Sequence, residues 1–206
     1  MFISFEGGEG SGKTTCIKKV VETLEKEGRN VVLTREPGGT PISEEIRNII
    51  LDKKNTDMDP RTEALLYAAS RRQHIVQKIL PALKEGKIVI TDRFLDSSLA
   101  YQGGARGLGV DTIYNVNQYA TEGLEPDVTF FFDIEPEEGL RRIAANAGRE
   151  VNRLDVEKLS FHHAVRQEFL ALEKRFPKRY VVIDASKDKE HVYMDVINEI
   201  HKRLGE

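Results

Sequence analysis

Glycines, a lysine and a threonine near the start of the chain form the pattern of a phosphate-binding loop. The run Gly7-x-x-x-x-Gly12-Lys13-Thr14 follows the apolar segment Phe2–Phe5, and apolar residues with helical spacing come after it. In such a loop the backbone N–H groups converge on phosphate oxygens, the lysine reaches the β- and γ-phosphates, and the threonine hydroxyl is a ligand for Mg²⁺. The positive end of the following helix adds to the site. The predicted ATP-binding residues are Gly7, Gly8, Glu9, Gly10, Ser11, Gly12, Lys13, Thr14 and Thr15.

A second anion site is predicted where Asp92 and Arg93 follow the apolar run Ile88–Ile90. A carboxylate at the end of a buried strand can hold a Mg²⁺ water or orient an acceptor phosphate, and a guanidinium suits a second phosphate. The alternative for this pair is a helix cap or a plain salt bridge. The loop that contains Arg35 and Glu36 should meet the other two loops. Because a hydrolase needs only one phosphate site, two anion sites favour a kinase with a phosphorylated acceptor.

A basic segment follows the predicted fourth strand and contains Arg141, Arg142, Arg149 and Arg153. Arginines on a lid can stabilise the charge of phosphoryl transfer and exclude water. Arg141 and Arg142 are adjacent, so on a helix they should point about 100° apart and not at one spot. A solvated face is the alternative interpretation of this segment.

An aromatic ring and a guanidinium lie four residues apart in the long helical segment that begins near Thr62. Tyr67 and Arg71 therefore share one face, where they could stack on a base and hydrogen-bond to its edge. Core packing of Tyr67 and a surface role for Arg71 form the alternative. The pair His162-His163 is not expected to bind a metal, since adjacent helical side chains diverge.

Five apolar segments read as strands and alternate with helical stretches, which predicts an α/β fold with a mostly parallel sheet and helices on both faces. The predicted strands are Phe2–Phe5, Asn30–Thr34, Ile88–Ile90, Val128–Ile134 and Tyr180–Ile183. Ligands of such sheets bind beyond the carboxyl ends of the strands, where the informative residues lie.

Helix boundaries are predicted from turn-forming and capping residues. Ser43 is the expected N-cap of the second helix, and Pro81 should kink the long helix that begins at Thr62. A helix over Leu95–Tyr101 should lead into the glycine-rich turn Gly103–Gly107, and another helix should begin at Asp155.

Composition is that of one ordinary globular domain. The chain has 206 residues, of which 39% are hydrophobic and 32% charged, and its net charge is −3. No bulk basic field attracts nucleic acid or a membrane surface. Because no segment could span a bilayer and the start MFISFEGG lacks the features of an export signal, a cytoplasmic location is expected.

These motifs together resemble the bacterial thymidylate kinases, which belong to the nucleoside monophosphate kinase group of P-loop proteins. The resemblance covers nearly the whole chain. It rests on the following segments: FEGGEGSGKTT, TREPGGTP at Thr34–Pro41, TEALLYAASRRQH at Thr62–His74, TDRFLDSSLAYQGGARG at Thr91–Gly107, NRLDVEKLSFHHAVRQEF at Asn152–Phe169 and VVIDAS at Val181–Ser186. It implies transfer of a phosphoryl group from Mg-ATP to dTMP, a homodimer, and a single kinase domain over residues 1–206 with a short basic lid at about 141–153.

The resemblance also implies residue roles. Lys13 and Thr14 would bind the ATP phosphates and Mg²⁺, and Asp92 would join Thr14 at the metal. Glu9 would contact the acceptor sugar, and Tyr101 would crowd its 2′ position. The implied dTMP-binding residues are Glu9, Arg35, Glu36, Arg47, Tyr67, Arg71, Arg93, Ser97, Ser98, Tyr101 and Gln102, and the implied catalytic residues are Lys13, Arg93, Asp92, Glu9, Arg149 and Arg153.

The sequence departs from the family pattern at a few positions. The phosphate loop has Gly10 where yeast-like members have an arginine, which the bacterial type supplies from the lid. The lid reads Asn152-Arg153-Leu154-Asp155 instead of Asp-Arg-x-Glu, and Phe94 replaces a common tyrosine. Two other functions remain open at this point: a kinase for another nucleoside monophosphate, and a partner-dependent P-loop ATPase.

Overall fold

Five parallel strands form one sheet in the part of the chain that the computed structural model describes, residues 1–145 and 153–206 without the side chains of 155 and 156. The strand order is β2-β3-β1-β4-β5. The strands are β1 (Phe2–Gly7), β2 (Val31–Arg35), β3 (Ile88–Asp92), β4 (Val128–Asp133) and β5 (Tyr180–Asp184). The predicted five-stranded parallel sheet is therefore confirmed, with each strand within about two residues of its expected bounds.

Helices cover both faces of this sheet. The α-helices of the described residues are α1 (Lys13–Lys26), α2 (Pro41–Leu51), α3 (Pro60–His74), α4 (Leu80–Lys84), α5 (Leu95–Ser98), α6 (Val110–Thr121), α7 (Pro136–Ala144), α8 (Leu159–Arg175) and α9 (Lys189–Leu204). Two π-helical segments, Ile75–Ile79 and Leu99–Ala105, and a 3₁₀ turn at Arg153–Val156 complete the description. None of the helices described has the length and apolar character needed to cross a membrane.

Successive side chains of the central strands point to opposite faces of the sheet, so they pack into two separate hydrophobic cores. Phe2 and Phe131 pack with the helices α3, α6 and α8 on one face, whereas Ile3 and Phe130 pack with α1 and α9 on the other. Burial on both faces holds the carboxyl ends of β1, β2 and β3 in register: Arg35 lies opposite Asp92, and Asp92 opposite Phe5.

Two helices begin earlier than predicted because a proline occupies the first turn of each. Helix α2 begins at Pro41 with Thr40 as N-cap. Ser43, the expected cap, lies within α2, where its hydroxyl donates to the Ser70 carbonyl at 2.9 Å. Helix α3 begins at Pro60, and Asp59 caps it by accepting from the backbone N–H groups that follow.

Two further predicted boundaries are wrong. Gly103 and Gly104 lie within a π-helical segment and not in a turn. A Cβ on Gly103 would lie 3.0 Å from Val110 Cα, and one on Gly104 would lie 2.8 Å from the Glu168 side chain, so these glycines permit close packing. Helix α8 begins at Leu159 instead of Asp155 because the 3₁₀ turn precedes it. At Pro81 the expected interruption takes the form of the π-helical segment just before α4.

The phosphate loop packs backbone to backbone against α7. A Cβ built on Gly139 would lie 2.3 Å from the Glu9 carbonyl oxygen, and one on Gly10, at φ +70°, would lie 2.0 Å from the Gly139 carbonyl oxygen. Neither position can carry a side chain unless α7 and the loop separate. The absence of an arginine at position 10 therefore has a steric reason in this fold.

We expect Gly139→Ala to lower the free energy of unfolding by about 1–3 kcal/mol, because the new methyl group meets backbone that cannot move alone. Helix propensity by itself would act in the opposite direction, by about 1 kcal/mol. Urea denaturation measures the difference, with the exposed change Ala144→Gly on the same helix as the calibration of propensity. A Gly139→Ala protein more stable than wild type would contradict the packing argument.

Candidate active site

A cleft of about 1710 Å³ opens at the carboxyl ends of β1, β2, β3 and β5. Most of the predicted site residues line it: Glu9, Gly10, Ser11, Gly12, Lys13, Thr14, Thr15, Arg35, Glu36, Arg47, Tyr67, Arg71, Asp92, Arg93, Ser97, Ser98, Tyr101 and Gln102. The fold thus brings together loops and helices that are far apart in the sequence, with lining residues on α1, α2, α3, α5 and the π-helical segment after α5. Arg153 is not among the lining residues, and Arg149 lies outside the described residues.

The phosphate loop ends at Gly12, whose φ of +86° turns the chain into α1. No side chain caps this helix, so its first N–H groups are directed at the loop as an anion site requires. Lys13 is buried, and its Nζ donates to the carbonyl oxygens of Gly7 and Gly8 at 2.9 Å. Burial, together with the nearby charge of Arg93, lowers the pKa of Lys13 to about 8.

The two predicted metal ligands lie side by side. Thr14 Oγ1 donates to Asp92 Oδ2 at 3.1 Å, at the exposed mouth of the cleft. A hydroxyl and a carboxylate are hard oxygen donors of the kind that Mg²⁺ takes. The residues present therefore fit a magnesium site next to the phosphate loop.

Arg93 connects the phosphate loop with the opposite wall of the cleft. Its backbone has the rare φ of +72°, directly after β3. Its Nη2 donates to Glu9 Oε1 at 2.6 Å, its Nη1 donates to Ser97 Oγ at 3.2 Å, and its guanidinium lies 5.2 Å from the Tyr101 ring centre. These contacts direct the guanidinium between the loop and the acceptor side, where the sequence predicted a second phosphate.

Glu6 is a buried carboxylate that the sequence prediction missed, and it holds Ser97, which in turn contacts Arg93. Glu6 accepts from the Phe94 N–H at 2.7 Å and from the Ser97 hydroxyl at 2.5 Å. Burial and the charge of Asp96 raise the pKa of Glu6 to about 7. A charged residue within the otherwise apolar strand FISFEG was the available signal, since such residues are rarely buried without a partner.

The loop after β2 supplies the remaining predicted acceptor residues. The exposed Arg35 pairs with Glu44 at 2.9 Å, and Arg47 Nη1 donates to the Pro37 carbonyl at 2.9 Å. Glu36 is buried, and its two oxygens accept from Arg71 Nε at 2.8 Å and bond His74 Nδ1 at 2.9 Å. Glu36 thus acts mainly as a support for Arg71.

Arg71 is buried and lines the cleft, so the surface role considered for it is wrong. Its side chain is 1% exposed and donates to Ser98 Oγ at 3.0 Å, to the Phe94 carbonyl at 2.9 Å, and to Asn117. Tyr67 lines the same cleft, one helical turn earlier on α3. The arrangement presents an aromatic ring beside a fixed guanidinium.

Arg153 packs against α2 and α3 and not against the phosphate loop. Its Nε donates to the Ile50 carbonyl at 3.0 Å, and its Nη2 forms an ion pair with the buried Glu63. A buried carboxylate without a cationic partner is strongly destabilising, so Glu63 holds Arg153 in a position different from the catalytic lid position predicted for it. Glu63 lies within the segment TEALLYAASRRQH but received no role in the sequence analysis, and its place on the buried face of α3 is what reveals it.

Adjacent arginines on α7 meet at one carboxylate, contrary to the prediction that they point apart. Arg141 Nε donates to Glu138 at 2.7 Å and Arg142 Nε at 2.8 Å, because residues three and four positions along a helix reach the same side chain. Arg142 also donates to the Ala185 carbonyl at 3.1 Å. The end of α7 therefore borders the cleft beside the loop after β5.

Comparison with known proteins agrees with this geometry. The family model described as "Thymidylate kinase" matches residues 5–196. Thymidylate kinases from Bacillus velezensis, a Geobacillus strain and Limosilactobacillus reuteri are 58%, 59% and 53% identical to this chain. The matches cover 99%, 98% and 100% of this chain and 98%, 97% and 97% of those proteins, respectively. The chain therefore belongs to the thymidylate kinase family of phosphotransferases.

Proposed function

We infer that this protein catalyses the ATP-dependent phosphorylation of dTMP to dTDP, a step towards dTTP. One observation carries the inference within this family: a single cleft is lined by the phosphate loop, by Arg93, and by the buried side chains of Tyr67 and Arg71. A donor phosphate at Lys13 and an acceptor base at Tyr67 and Arg71 would place the reacting phosphates between them. Such placement is the main requirement of phosphoryl transfer.

We assign the charged residues by their positions along this path. Lys13 and the first N–H groups of α1 bind the ATP phosphates, and Thr14 and Asp92 hold Mg²⁺, which neutralises phosphate charge when bound. Arg93, Arg35 and Arg47 bind the acceptor phosphate, while Glu9 and Tyr101 border the sugar. No strong general base is needed, because the acceptor phosphate is already ionised near neutral pH.

The proposal also covers the domain organisation, the lid and the location of the protein. Residues 1–206 act as one kinase domain with a short basic lid at about 141–153, and Arg149 of that lid contributes positive charge at the transferred phosphate. The cytoplasm is the proposed location, because Mg-ATP is available there, and cell fractionation with an antibody would test it. Neither nucleic acid nor a membrane is a proposed partner.

A panel of nucleoside monophosphates tests the function directly. We expect dTDP formation from dTMP and Mg-ATP, with dCMP, dGMP and AMP turned over at least about 100-fold less efficiently, because a site that hydrogen-bonds one base leaves polar groups unpaired with another. UMP has the hydrogen-bonding groups of dTMP, and we expect lower activity with it because Tyr101 borders the sugar. ADP release is measured by a coupled assay, and chelation of Mg²⁺ should abolish it. Higher activity with UMP or AMP, or ATP hydrolysis without acceptor, would overturn the proposal.

Arg93→Lys tests the bridging guanidinium. We expect kcat to fall by about 10²–10³-fold, because a point charge cannot contact two oxygens with fixed geometry in the transition state. Steady-state kinetics with dTMP measure it. Arg72→Lys, a half-buried position on α3 that pairs with Glu122, is the matched control and should behave as wild type. Wild-type turnover of Arg93→Lys would contradict the assigned role.

A homodimer is part of the proposal because exposed apolar side chains concentrate on helices that pack side by side. Ile42 and Ile49 of α2, Leu65 of α3 and Tyr119 of α6 are between 49% and 91% exposed. A second copy of the chain would cover such a face, as large exposed apolar surfaces mark interaction sites.

Light scattering after size exclusion tests the dimer. We expect a mass of two chains for wild type and of one chain for Leu65→Glu, because a charge at the centre of an apolar interface is desolvated without a partner. Met194→Glu, at 43% exposure on α9, is the control and should remain dimeric. A monomeric wild type, or equal behaviour of the two variants, would reject this surface.

A further inference from the structure

The side-chain amide of Gln102 is held by a carboxylate that takes no part in the assigned chemistry. Gln102 Nε2 donates to Glu63 Oε1 at 2.9 Å, and each of the two side chains is 1% exposed. Gln102 lines the cleft, as Arg71 does, whereas Glu63 lies on α3 and is not among the lining residues. The contact therefore joins a residue that faces the acceptor base to a residue that does not.

Glu63 can only accept hydrogen bonds in this setting. Arg106 contacts Oε1 at 3.3 Å, and Arg153 forms an ion pair with Oε2. Burial opposes ionisation, but the hydrogen bonds from Gln102 and Arg153 and the two guanidinium charges outweigh it, and the pKa of Glu63 lies below its usual value. An ionised carboxylate offers no proton, so the group that faces it must be a donor.

This requirement fixes which end of the Gln102 amide faces Glu63. The NH₂ group must point at the carboxylate, and the carbonyl oxygen must point elsewhere. A flipped amide would set two oxygens against each other in a buried site, where an unpaired polar group is costly. An ordinary glutamine can flip to match either a donor or an acceptor, and Glu63 removes that freedom.

The two pyrimidine bases differ at the atoms that such an amide would read. Thymine carries a proton on N3 and a carbonyl at position 4, whereas cytosine carries a bare N3 acceptor and an amino group at position 4. A glutamine whose carbonyl oxygen faces the base can accept from the thymine N3–H but opposes the cytosine N3. Arg71, which has only donors, favours the carbonyl at position 4 independently of Glu63.

We propose that Glu63 is a positioning residue for base specificity: it locks the Gln102 amide in the orientation that accepts from the N3–H of thymine and disfavours cytosine. The proposal rests on the function proposed above and adds a residue to it. Glu63 itself touches neither substrate, so its effect must appear as a change in selectivity.

The test compares two substrates that differ only at N3 and position 4, namely dTMP and 5-methyl-dCMP. The kcat/KM values for both, and their dissociation constants from calorimetry, are measured for wild type, Glu63→Gln and Glu63→Asp. A neutral partner at position 63 permits the flip, so the dTMP preference should fall by about tenfold or more in Glu63→Gln, the usual size of one hydrogen-bond mismatch. Glu63→Asp keeps the charge but withdraws the oxygens, and its preference should fall by about threefold or more.

Glu157→Gln is the matched control because Glu157 pairs with Arg106 at 2.6 Å and has no hydrogen bond with Gln102 among those described. The preference of Glu157→Gln for dTMP over 5-methyl-dCMP should stay within about twofold of that of wild type. Circular dichroism establishes which variants are folded, and Glu63→Asp decides the question if Glu63→Gln does not fold, since it retains the negative charge that faces Arg106 and Arg153.

An unchanged preference in folded Glu63→Gln, or in Glu63→Asp where that variant decides, would overturn the inference. An equal fall in Glu157→Gln would do the same, because the effect would then come from support of Arg106. Equal losses for both substrates would indicate a purely structural role. A wild-type protein that does not phosphorylate dTMP would instead reject the proposed function, so the two failures can be told apart.

Discussion

Arg93 occupies the point where the two halves of the cleft meet, and several features of the structure serve to hold it there. A left-handed backbone directs it from the end of β3, Glu9 and Ser97 hold its two terminal nitrogens, and Glu6 holds Ser97. A guanidinium fixed in this way needs little reorganisation when charge develops on a phosphate. In the β1–β3 register Phe5 lies opposite Asp92, so the pairing of these strands fixes the point at which Arg93 leaves the sheet.

Three buried carboxylates hold side chains that line the cleft between Arg93 and Arg71. Glu6 receives a backbone N–H and hydroxyl groups, Glu36 receives Arg71, and Glu63 receives Gln102 and Arg153. Each carboxylate is costly to bury and is retained only because it is surrounded by donors. In return each one fixes the direction of a side chain that lines the cleft. The interior thus determines which hydrogen-bonding groups the acceptor meets.

Much of the fold was predictable from local patterns. The apolar strands, the phosphate loop and the helix after it are encoded by residues next to one another, and parallel pairing follows from their alternation with helices. The start of α2 was missed although Pro41 marks it locally, whereas a distant contact decided the outcome at Gly103 and Gly104, which serve close packing instead of a turn. Spacing along the chain carries no information about such neighbours.

By itself the sequence determined which functional groups are available to the site: a loop for phosphates, arginines for a second anion, and a tyrosine and an arginine on one helical face. The tertiary structure alone decided how those groups are aimed. Arg153 was predicted to be a catalytic arginine of the lid and lies instead against Glu63, while Glu63, to which the sequence analysis gave no role, donates no proton and holds the amide of Gln102. The physical reason is that an ionised group buried in a fold takes the partner that desolvation leaves within reach, and only the packing of distant segments defines that partner.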